Sequence, residues 1–595
     1  MQPRLEDYAL IGDLQTAALL GRDGSIDWLC VPRFDSGACF AALLGTPEHG
    51  RFRIAPAVPV RNVTRRYRGD TLVLETLFET DGGSARVVDS MPLRERTPDV
   101  LRVVEGVSGR VPMRMELVIR FDYGSIVPWV RSIPGGISAV AGPDALIVRT
   151  PAPMRGEGLT TVADFDVDEG RHVPFVLTWH PSYEPPPPPL DAEERIASTE
   201  RWWRDWSHRC SYRGRWRDAV VRSLLVLKAL TYDPTGGIVA APTTSLPEWL
   251  GGGRNWDYRY CWLRDATLTL EALLLGGFED EAKAWRDWLM RAVAGDPSKI
   301  QIMYGIAGER RLDEWVVPWL PGYQGSKPVR IGNDAYAQRQ LDVYGELMDS
   351  TYQAYKVHAE PEDSTWRIQR ALLDFLASSW REPGSGLWEM RSAPKHFTYA
   401  KVMSWVAFDR AVKTVERIGL DGPVDRWRKL RDEIHAEVCA KGFDSGRNTF
   451  TQSYGSQTLD ASALRIPLVG FLPACDPRVV GTVRAIEREL LHEGLVLRYS
   501  QDASDGLSDP EGAFLACSFW LSSCHARMGR IRDAERLFER LLALRNDVGL
   551  LSEEYDPIGR RQLGNFPQAF SHLALIETAF NLGDDQTSIT EDRSK

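Results

Sequence analysis

Five consecutive prolines, Pro185–Pro189 (PPPPP), divide the sequence into two parts of different character. Proline has a fixed φ and no backbone N–H, so this run predicts a stiff polyproline spacer and excludes both a helix and a central strand. A chain of 595 residues is also too long for one ordinary core. We therefore predict a first domain over residues 1–190, a second over residues 191–583 and a disordered polar tail over residues 584–595.

The residues before the proline run have the pattern of β-structure. Hydrophobic and polar residues alternate in segments such as Thr71–Phe78, Leu101–Val107 and Met115–Phe121. Glycine and proline pairs, among them Gly82-Gly83 and Gly142-Pro143, separate these segments and indicate turns. Many short strands at this spacing predict an antiparallel β-sandwich.

The residues after the run have the pattern of helices. Apolar residues recur at i, i+3 and i+4 in about a dozen segments, which predicts as many helices. The predicted helices are Asp191–Arg209, Arg215–Leu230, Ala266–Leu275, Glu279–Ala294, Gln338–Lys356, Ser364–Ser379, Met403–Ile418, Val424–Cys439, Val479–Leu491, Phe514–Met528, Ile531–Leu544 and Ala569–Leu582. The loops between them are longer than a plain bundle needs, and long loops on a regular scaffold usually build a functional site.

The composition narrows the class of protein. Hydrophobic residues make up 43% and charged residues 26%, as in a soluble globular protein, and the net charge of −10 argues against nucleic acid as the main ligand.

The N-terminal segment lacks the pattern of a signal peptide, and no apolar run is long enough to span a membrane. The eight cysteines form no CxxC pair, which favours buried free thiols and a cytoplasmic location over disulfides. The 20 tryptophans are unusually many and are suited to stacking on sugar rings.

The densest chemical feature is Asn255–Asp265 (NWDYRYCWLRD), directly before a predicted helix. It combines four aromatic residues with two arginines and two aspartates. One interpretation is aromatic packing around a buried Arg264–Asp265 pair. The other, which we favour, is a polar ligand held over the aromatic rings by hydrogen bonds from planar guanidinium and carboxylate groups.

Two further motifs contain candidate catalytic carboxylates. Gly386–Met390 (GLWEM) places Glu389 after a tryptophan, and Leu551–Asp556 (LSEEYD) contains Glu553. Taken alone, each glutamate is more readily explained as a surface residue. Together with the aromatic stretch they supply what glycoside hydrolysis needs, because one carboxylic acid protonates the leaving oxygen while one carboxylate activates water.

These motifs resemble those of glycoside hydrolase family 15, the glucoamylase and trehalase-like family, in its bacterial trehalase-like branch. The resemblance covers nearly the whole chain: Tyr8–Ser36, NWDYRYCWLRDA, GLWEMR, Lys395–Trp405, Asp509–Trp520 and LSEEYDP occur in family order. It implies an N-terminal β-sandwich followed by an (α/α)6 barrel, which agrees with the independent estimate of about a dozen helices.

The resemblance also implies roles for individual residues. Glu389 matches the general acid and Glu553 the general base. The residues matching the site for the non-reducing glucose are Tyr258, Trp262, Arg264 and Asp265, and Trp520 matches an aromatic platform near the reducing side. Trp388, His396 and Glu554 complete the predicted substrate-binding set, although His396 is as readily explained by packing.

Two positions depart from the fungal glucoamylase pattern. Met390 stands where those enzymes have a second glutamate, and Ser508 stands where they have an arginine. Both family residues hold the sugar on the leaving-group side, so their loss argues against recognition of maltose. We therefore predict an inverting, exo-acting α-glucoside hydrolase that releases β-glucose, with α,α-trehalose as the leading substrate.

Three alternatives remain. The first is a glucoamylase-like enzyme acting on maltose, isomaltose or short α-glucans. The second is an inverting phosphorylase, against which a glutamate at position 553 argues, because phosphate needs no activating base. The third is a non-catalytic sugar-binding protein, against which the presence of both Glu389 and Glu553 argues.

No cofactor or metal is predicted. His180, His208 and His358 have no partners at metal-ligand spacing, His572 is expected to be structural, and Gly251–Gly253 lack the context of a nucleotide-binding loop. The expected partner is a small carbohydrate, with neither nucleic acid nor membrane. Assembly into a homo-oligomer is left open.

Overall fold

The computed structural model describes residues 2–356, 362–500, 505–507 and 509–583. Its N-terminal part is built from antiparallel strands. These are β1 (Tyr8–Gly12), β2 (Ala17–Gly21), β3 (Ser25–Cys30), β4 (Ala38–Phe40), β5 (Arg51–Pro56), β6 (Val60–Tyr67), β7 (Leu74–Thr80), β8 (Gly83–Ser90), β9 (Asp99–Val118), β10 (Trp129–Ile133), β11 (Gly136–Ala141), β12 (Asp144–Arg149), β13 (Arg155–Glu157), β14 (Thr160–Asp168) and β15 (His172–Pro181).

Strand β9 joins two layers of this β domain. Its first half pairs with β8 and β15, and its second half pairs with β5 and β14. In the second half Val111, Met113 and Met115 are buried while the residues between them are partly exposed, as expected for a strand with one face toward a core. The layers meet through aromatic side chains, with the Phe165 and Phe175 rings 5.4 Å apart.

The proline run lies between the end of β15 and the first helix, α1 (Ala192–His208). The Asp191 side chain caps this helix by accepting hydrogen bonds from the backbone N–H groups of Glu193 and Glu194. Helix α1 packs on β9 and β15, and its Trp206 stacks on Phe278 with ring centroids 4.1 Å apart. The helix therefore contacts both parts of the molecule.

Twelve further helices follow within the described residues. They are α2 (Arg217–Ala229), α3 (Ala266–Gly276), α4 (Glu279–Val293), α5 (Asp342–Lys356), α6 (Asp363–Ser379), α7 (Thr398–Ile418), α8 (Val424–Lys441), α9 (Arg465–Leu468), α10 (Pro477–Glu489), α11 (Leu515–Arg527), α12 (Ile531–Leu542) and α13 (Ala569–Leu582). The sequence predicts all of them except α9. That helix has only four residues and contains Pro467, so it is too short to show a helical period.

Alternate helices form a closed inner ring. Helices α3, α5, α7, α9, α11 and α13 each contact the next, and α13 closes the ring on α3. The inner helices α5, α11 and α13 are buried along most of their length, whereas the outer helix α12 buries only one face. This double ring is the predicted (α/α)6 barrel, and it follows an antiparallel β domain as the sequence indicates.

Short antiparallel strands, arranged in the described residues as six pairs and one three-stranded sheet, stiffen the loops between the helices. They are β16 (Thr231–Tyr232), β17 (Gly237–Ile238), β18 (Thr244–Pro247), β19 (Asn255–Asp257), β20 (Cys261–Trp262), β21 (Met303–Tyr304), β22 (Trp315–Val316), β23 (Arg330–Ile331), β24 (Phe443–Asp444), β25 (Thr449–Phe450), β26 (Leu491–His492), β27 (Leu495–Val496), β28 (Ala513–Phe514), β29 (Glu554–Asp556) and β30 (Arg561–Leu563). Among the described residues, no helix is both long enough and apolar enough to cross a bilayer.

The cysteines agree with the predicted free thiols. All eight are unpaired, and six of them are buried. Cys475 is exposed and Cys439 is partly buried, so burial is not uniform. His572 is fully buried in α13, and burial lowers its pKa to about 3. His358 and the tail predicted over residues 584–595 lie outside the described residues.

Candidate active site

A cavity lies among the loops that precede the inner helices. Four predicted site residues line it: Tyr258, Arg264, Trp388 and Glu389. The other lining residues are Glu248, Arg254, Trp256, Met390, Arg391, Arg498, Tyr499, Asp505, Leu507 and Phe514. Its wall combines aromatic rings with charged groups, which suits a ligand that has both apolar faces and hydroxyl groups.

Glu389 is held in an unusual backbone conformation. Its φ of 58° lies in the left-handed region, which is uncommon for a residue other than glycine. The Oε1 atom accepts a hydrogen bond of 2.7 Å from the Trp262 indole N–H and one of 3.3 Å from Arg264 Nη1. Gln338 in turn donates to the Glu389 backbone carbonyl. The turn and these bonds fix the carboxylate at the cavity wall.

Tyr258, Trp262, Arg264 and Asp265 form one connected wall. The Tyr258 and Trp262 rings are stacked with centroids 4.9 Å apart. Arg264 Nε donates to Asp265 Oδ1 at 2.8 Å, and both side chains are nearly fully buried. A buried arginine–aspartate pair beside stacked rings is suited to bind sugar hydroxyls in one orientation.

Glu553 lies fully buried directly before β29. Its Oε2 accepts the backbone N–H of Asn565 at 3.1 Å, whereas no described residue donates to Oε1 within hydrogen-bonding geometry. Burial raises the pKa of Glu553, and the nearby Tyr258 hydroxyl and Arg498 guanidinium oppose that rise.

Gly564 leaves room for this carboxyl group. Its φ is +73°, and a Cβ at this position would lie 2.6 Å from Glu553 Oε2. A side chain would therefore both strain the backbone and displace the carboxylate.

Tyr258 and Arg264 connect the two glutamates electrostatically. The charge of each glutamate raises the pKa of Tyr258, whose largest shift comes from burial. Arg264 likewise acts on both, because it contacts Glu389 and lowers the pKa of Glu553. Tyr258 and Arg264 therefore act electrostatically on both candidate catalytic residues.

The remaining predicted residues lie around this centre. Trp388 donates from Nε1 to Asp460 Oδ1 at 2.8 Å, and Trp520 is buried behind it with ring centroids 6.0 Å apart. Glu554 is also fully buried, and its Oε2 accepts the Gly512 N–H at 2.8 Å. Trp520 and Glu554 therefore support the wall from behind.

His396 takes part in a separate contact. Its ring stacks on Tyr454 with centroids 5.9 Å apart, and its backbone carbonyl accepts the Tyr454 N–H at 3.0 Å. This arrangement matches the packing interpretation of His396.

A buried charge cluster forms another part of the wall, and the sequence analysis missed it. Arg498 Nη2 lies 2.8 Å from Glu248 Oε2, 2.5 Å from Glu511 Oε2 and 3.4 Å from Glu554 Oε1. Arg254 donates to Glu511 at 3.1 Å and to Asp505 at 2.6 Å. These residues come from segments far apart in the sequence, so no motif groups them. Signals existed for three members, because Arg254 adjoins Asn255, Glu511 lies in Asp509–Trp520 and Glu554 lies in LSEEYDP, whereas Glu248 and Arg498 lie in none of the quoted motifs.

The cluster has the spacing of a metal site but contains its own cation. Ligand atoms of Glu248, Glu511 and Glu554 lie within 4.8 Å of one another. Because the Arg498 guanidinium contacts all three, it supplies the positive charge that a metal ion would bring. Burial raises the pKa of Glu248 to about 7 and that of Glu554 well above its usual range, against the opposing effect of Arg498.

The two positions that depart from the fungal pattern differ in what the structure describes of them. Ser508 lies outside the described residues, while Met390 lines the cavity as expected for its motif. Arg254, Arg391 and Arg498 nevertheless line the same cavity together with Glu248 and Asp505. The wall is therefore rich in arginine and carboxylate groups, while the loss of leaving-side contacts at Met390 and Ser508 stays a prediction.

Comparisons with known proteins agree with this architecture. The model of the glycosyl hydrolases family 15 matches residues 214–580, and the model of the trehalase-like N-terminal domain matches residues 1–203. A trehalase of Mycobacterium tuberculosis is 40% identical, with 98% of this chain and 90% of the relative covered. A trehalase of Thermoplasma volcanium is 36% identical, with 97% and 93% covered.

A solved structure shows the same fold. The crystal structure of a bacterial glucoamylase complexed with acarbose matches with a TM-score of 0.71 and 12% identity, covering 97% of this chain and 94% of that one. The double ring with its carboxylate-lined cavity defines the protein as a glycoside hydrolase. The chain belongs to glycosyl hydrolase family 15.

Proposed function

We propose that the protein hydrolyses α,α-trehalose to two glucose molecules with inversion at the attacked anomeric carbon. One observation carries the proposal: Glu389 lines the cavity, and Tyr258 and Arg264 of the same cavity wall act electrostatically on both Glu389 and the buried Glu553. Similarity to trehalases along nearly the whole chain, β domain included, supports trehalose as the substrate.

Glu389 is the proposed general acid. The Trp262 indole and Arg264 hold its carboxyl group at the wall, where it protonates the glycosidic oxygen as the bond to the leaving glucose breaks.

Glu553 is the proposed general base. Its Oε1 accepts a proton from the attacking water while Asn565 holds Oε2. The water attacks from the opposite face of the sugar, so the bound α-glucosyl unit leaves as β-glucose. Because burial raises the pKa of Glu553, we expect the base to become active at a higher pH than an exposed glutamate would.

The charge cluster is the proposed site for the leaving glucose. Arg254, Arg498 and Glu248 are buried side chains already held in place by their partners, and they line the cavity. A site built from fixed polar groups rejects a sugar whose hydroxyls leave those groups unpaired, by about 1–3 kcal/mol for each group. This arrangement favours one disaccharide over a series of glucans.

The test is a comparison of substrates and of products. Initial rates of glucose release are measured on trehalose, maltose, isomaltose and maltotetraose, with Glu389→Gln protein purified in parallel as the control for contaminating activity. We expect kcat/KM for trehalose to exceed that for maltose by at least roughly tenfold. A higher value for maltose or maltotetraose would establish the glucoamylase-like alternative.

Proton NMR of freshly cleaved trehalose tests the stereochemistry. Inversion releases one β-glucose from the attacked sugar and one α-glucose from the leaving sugar, in equal amounts before mutarotation. Release of α-glucose alone would show retention and would remove Glu553 from its role.

We also propose a reducing compartment such as the cytoplasm. The eight unpaired cysteines, six of them buried, support it.

A further inference from the structure

Arg259 connects the candidate active site to the β domain. Its side chain is completely buried. On one side the guanidinium donates to both oxygens of Asp257, through Nε at 2.9 Å and Nη2 at 2.6 Å. On the other side Nη1 donates to the Tyr123 hydroxyl oxygen at 2.9 Å and to the Ser36 carbonyl at 3.0 Å. Tyr123 and Ser36 belong to the β domain.

The position of Arg259 places it next to the residues that face the cavity. Asp257 and Arg259 flank Tyr258, whose ring stacks on Trp262. Trp262 in turn donates to the Glu389 carboxylate. A continuous series of direct contacts therefore runs from the β domain through this stretch to the proposed acid.

A second contact holds the partner segment of the same stretch. The Trp28 indole N–H, from β3 of the β domain, donates to the Pro242 carbonyl at 2.8 Å, and Trp28 is fully buried. The neighbouring Ala241 N–H donates to the Tyr258 carbonyl at 3.0 Å. The β domain thus forms hydrogen bonds to both backbone segments that position Tyr258, one at Pro242 and the other at Arg259.

We propose that Arg259 is a positioning residue through which the N-terminal β domain sets the geometry of the active site. Arginine suits this role because its planar guanidinium can donate to a carboxylate on one edge and to two oxygens on the other. Lysine presents three donors from a single point and cannot reach both sides at once. The proposal concerns how the site is held, and it is independent of which α-glucoside is cleaved.

The test compares variants at this contact with a matched variant elsewhere between the domains. Arg259→Lys keeps the positive charge but loses the planar guanidinium group that donates to both sides. Tyr123→Phe removes only the hydroxyl oxygen that accepts from Arg259 Nη1. The control is Arg222→Lys on α2, where another arginine of the helical domain donates to the β-domain carbonyls of Thr71 at 2.7 Å and Gly69 at 3.2 Å. Melting temperature, kcat and KM are measured for each, on the best natural substrate and on α-glucosyl fluoride.

Arg259→Lys is expected to lower kcat on the natural substrate by roughly 10- to 100-fold, the scale of an ångström-level displacement of reacting groups. Tyr123→Phe should give a smaller loss of the same kind. Arg222→Lys should change kcat by less than about twofold at a comparable melting temperature.

Two results would overturn the proposal. The first is a kcat within about twofold of the original in soluble Arg259→Lys protein. The second is an equal loss of kcat in the Arg222 and Arg259 variants at equal melting temperatures, because both would then report general destabilisation. If Arg259→Lys does not fold, Tyr123→Phe decides alone, with unchanged kcat rejecting the proposal. Since the fluoride reports turnover whatever the natural substrate is, a wrong substrate assignment would not be mistaken for failure here.

Discussion

The proposed roles of Glu389 as acid and Glu553 as base depend on the surroundings of each side chain. The two differ in surroundings: Glu389 accepts two side-chain hydrogen bonds at the cavity wall, whereas Glu553 is buried and held by a backbone N–H. Such different environments are what an acid and a base working on opposite faces of one sugar require.

The first prediction separates these two roles. Glu389→Gln should lower turnover on the natural substrate by roughly 10²–10⁴-fold, because it removes the proton donor. Its loss should be smaller on α-glucosyl fluoride, since fluoride leaves with little protonation. Glu553→Gln should be poor on both substrates, because water must be activated in either case. Steady-state rates on both substrates provide the measurement, and equal responses of the two variants to the fluoride would contradict the assignment.

The sequence predicts residues that lie in motifs better than residues that meet only in the fold. Tyr258, Trp262 and Glu389 lie in short aromatic–acidic segments, and the structure brings all three together. Glu248 and Arg498 lie in no recognisable motif. Their role depends on the ion pair that they form with each other, and they are 250 positions apart in the sequence. Long-range ion pairs of this kind cannot be read from local patterns.

At the scale of helices and strands, the recurrence of apolar residues at i, i+3 and i+4 predicts which segments are helical, but it locates their first and last residues less accurately. Helix α5 begins at Asp342 and not at the predicted Gln338. Gln338 uses its side chain to donate to the Glu389 carbonyl, so the segment before α5 serves the active-site turn. Helix α7 begins five residues earlier than predicted, at Thr398, because its polar first turn is buried against neighbouring loops. The domain limits at residues 190 and 583 stay predictions.

The second prediction concerns the packing of α5 against α7. Glu346 on α5 is fully buried, and its Oε1 accepts a hydrogen bond of 2.9 Å from the Tyr399 hydroxyl on α7. Burial raises its pKa to about 8, with Arg465 opposing the rise. The folded protein therefore binds a proton here that the unfolded chain releases above its ordinary pKa of about 4.5. This contribution to stability is complete below that pH and is lost as the pH rises toward 8.

Glu346→Gln should therefore flatten the dependence of unfolding free energy on pH between about 4.5 and 8. Urea unfolding at a series of pH values measures it. Glu416→Gln is the control, because this α7 side chain is half-exposed and pairs with Arg428 at the surface. Identical pH dependence in the Glu346 variant and the original protein would contradict the prediction.

Across the whole molecule, the two domains are joined by contacts from distant parts of the chain. Arg65 of the β domain has a fully buried side chain and pairs with Asp547 at 2.7 Å. The Glu6 side chain accepts the Gln562 N–H, and Trp28 donates to Pro242. The sequence predicts two domains at the proline run, but it does not reveal this interface, which forms only between residues far apart in the chain.

The third prediction follows from that interface. Because separating the domains would break the ion pair between the buried Arg65 and Asp547 and expose the apolar Trp28 ring, we expect heating to unfold both in a single cooperative transition. Differential scanning calorimetry should give one peak whose calorimetric and van't Hoff enthalpies agree. Two resolved peaks, or a calorimetric enthalpy well above the van't Hoff value, would show that the domains unfold separately.

The closed helical ring also has a consequence for synthesis on the ribosome. Helix α3 near the start of the helical domain completes its packing only against α13, the last helix in the described residues. The nascent chain must therefore keep one apolar side of α3 unpacked until translation has passed α13. Exposed surface of this kind is prone to aggregation while translation continues.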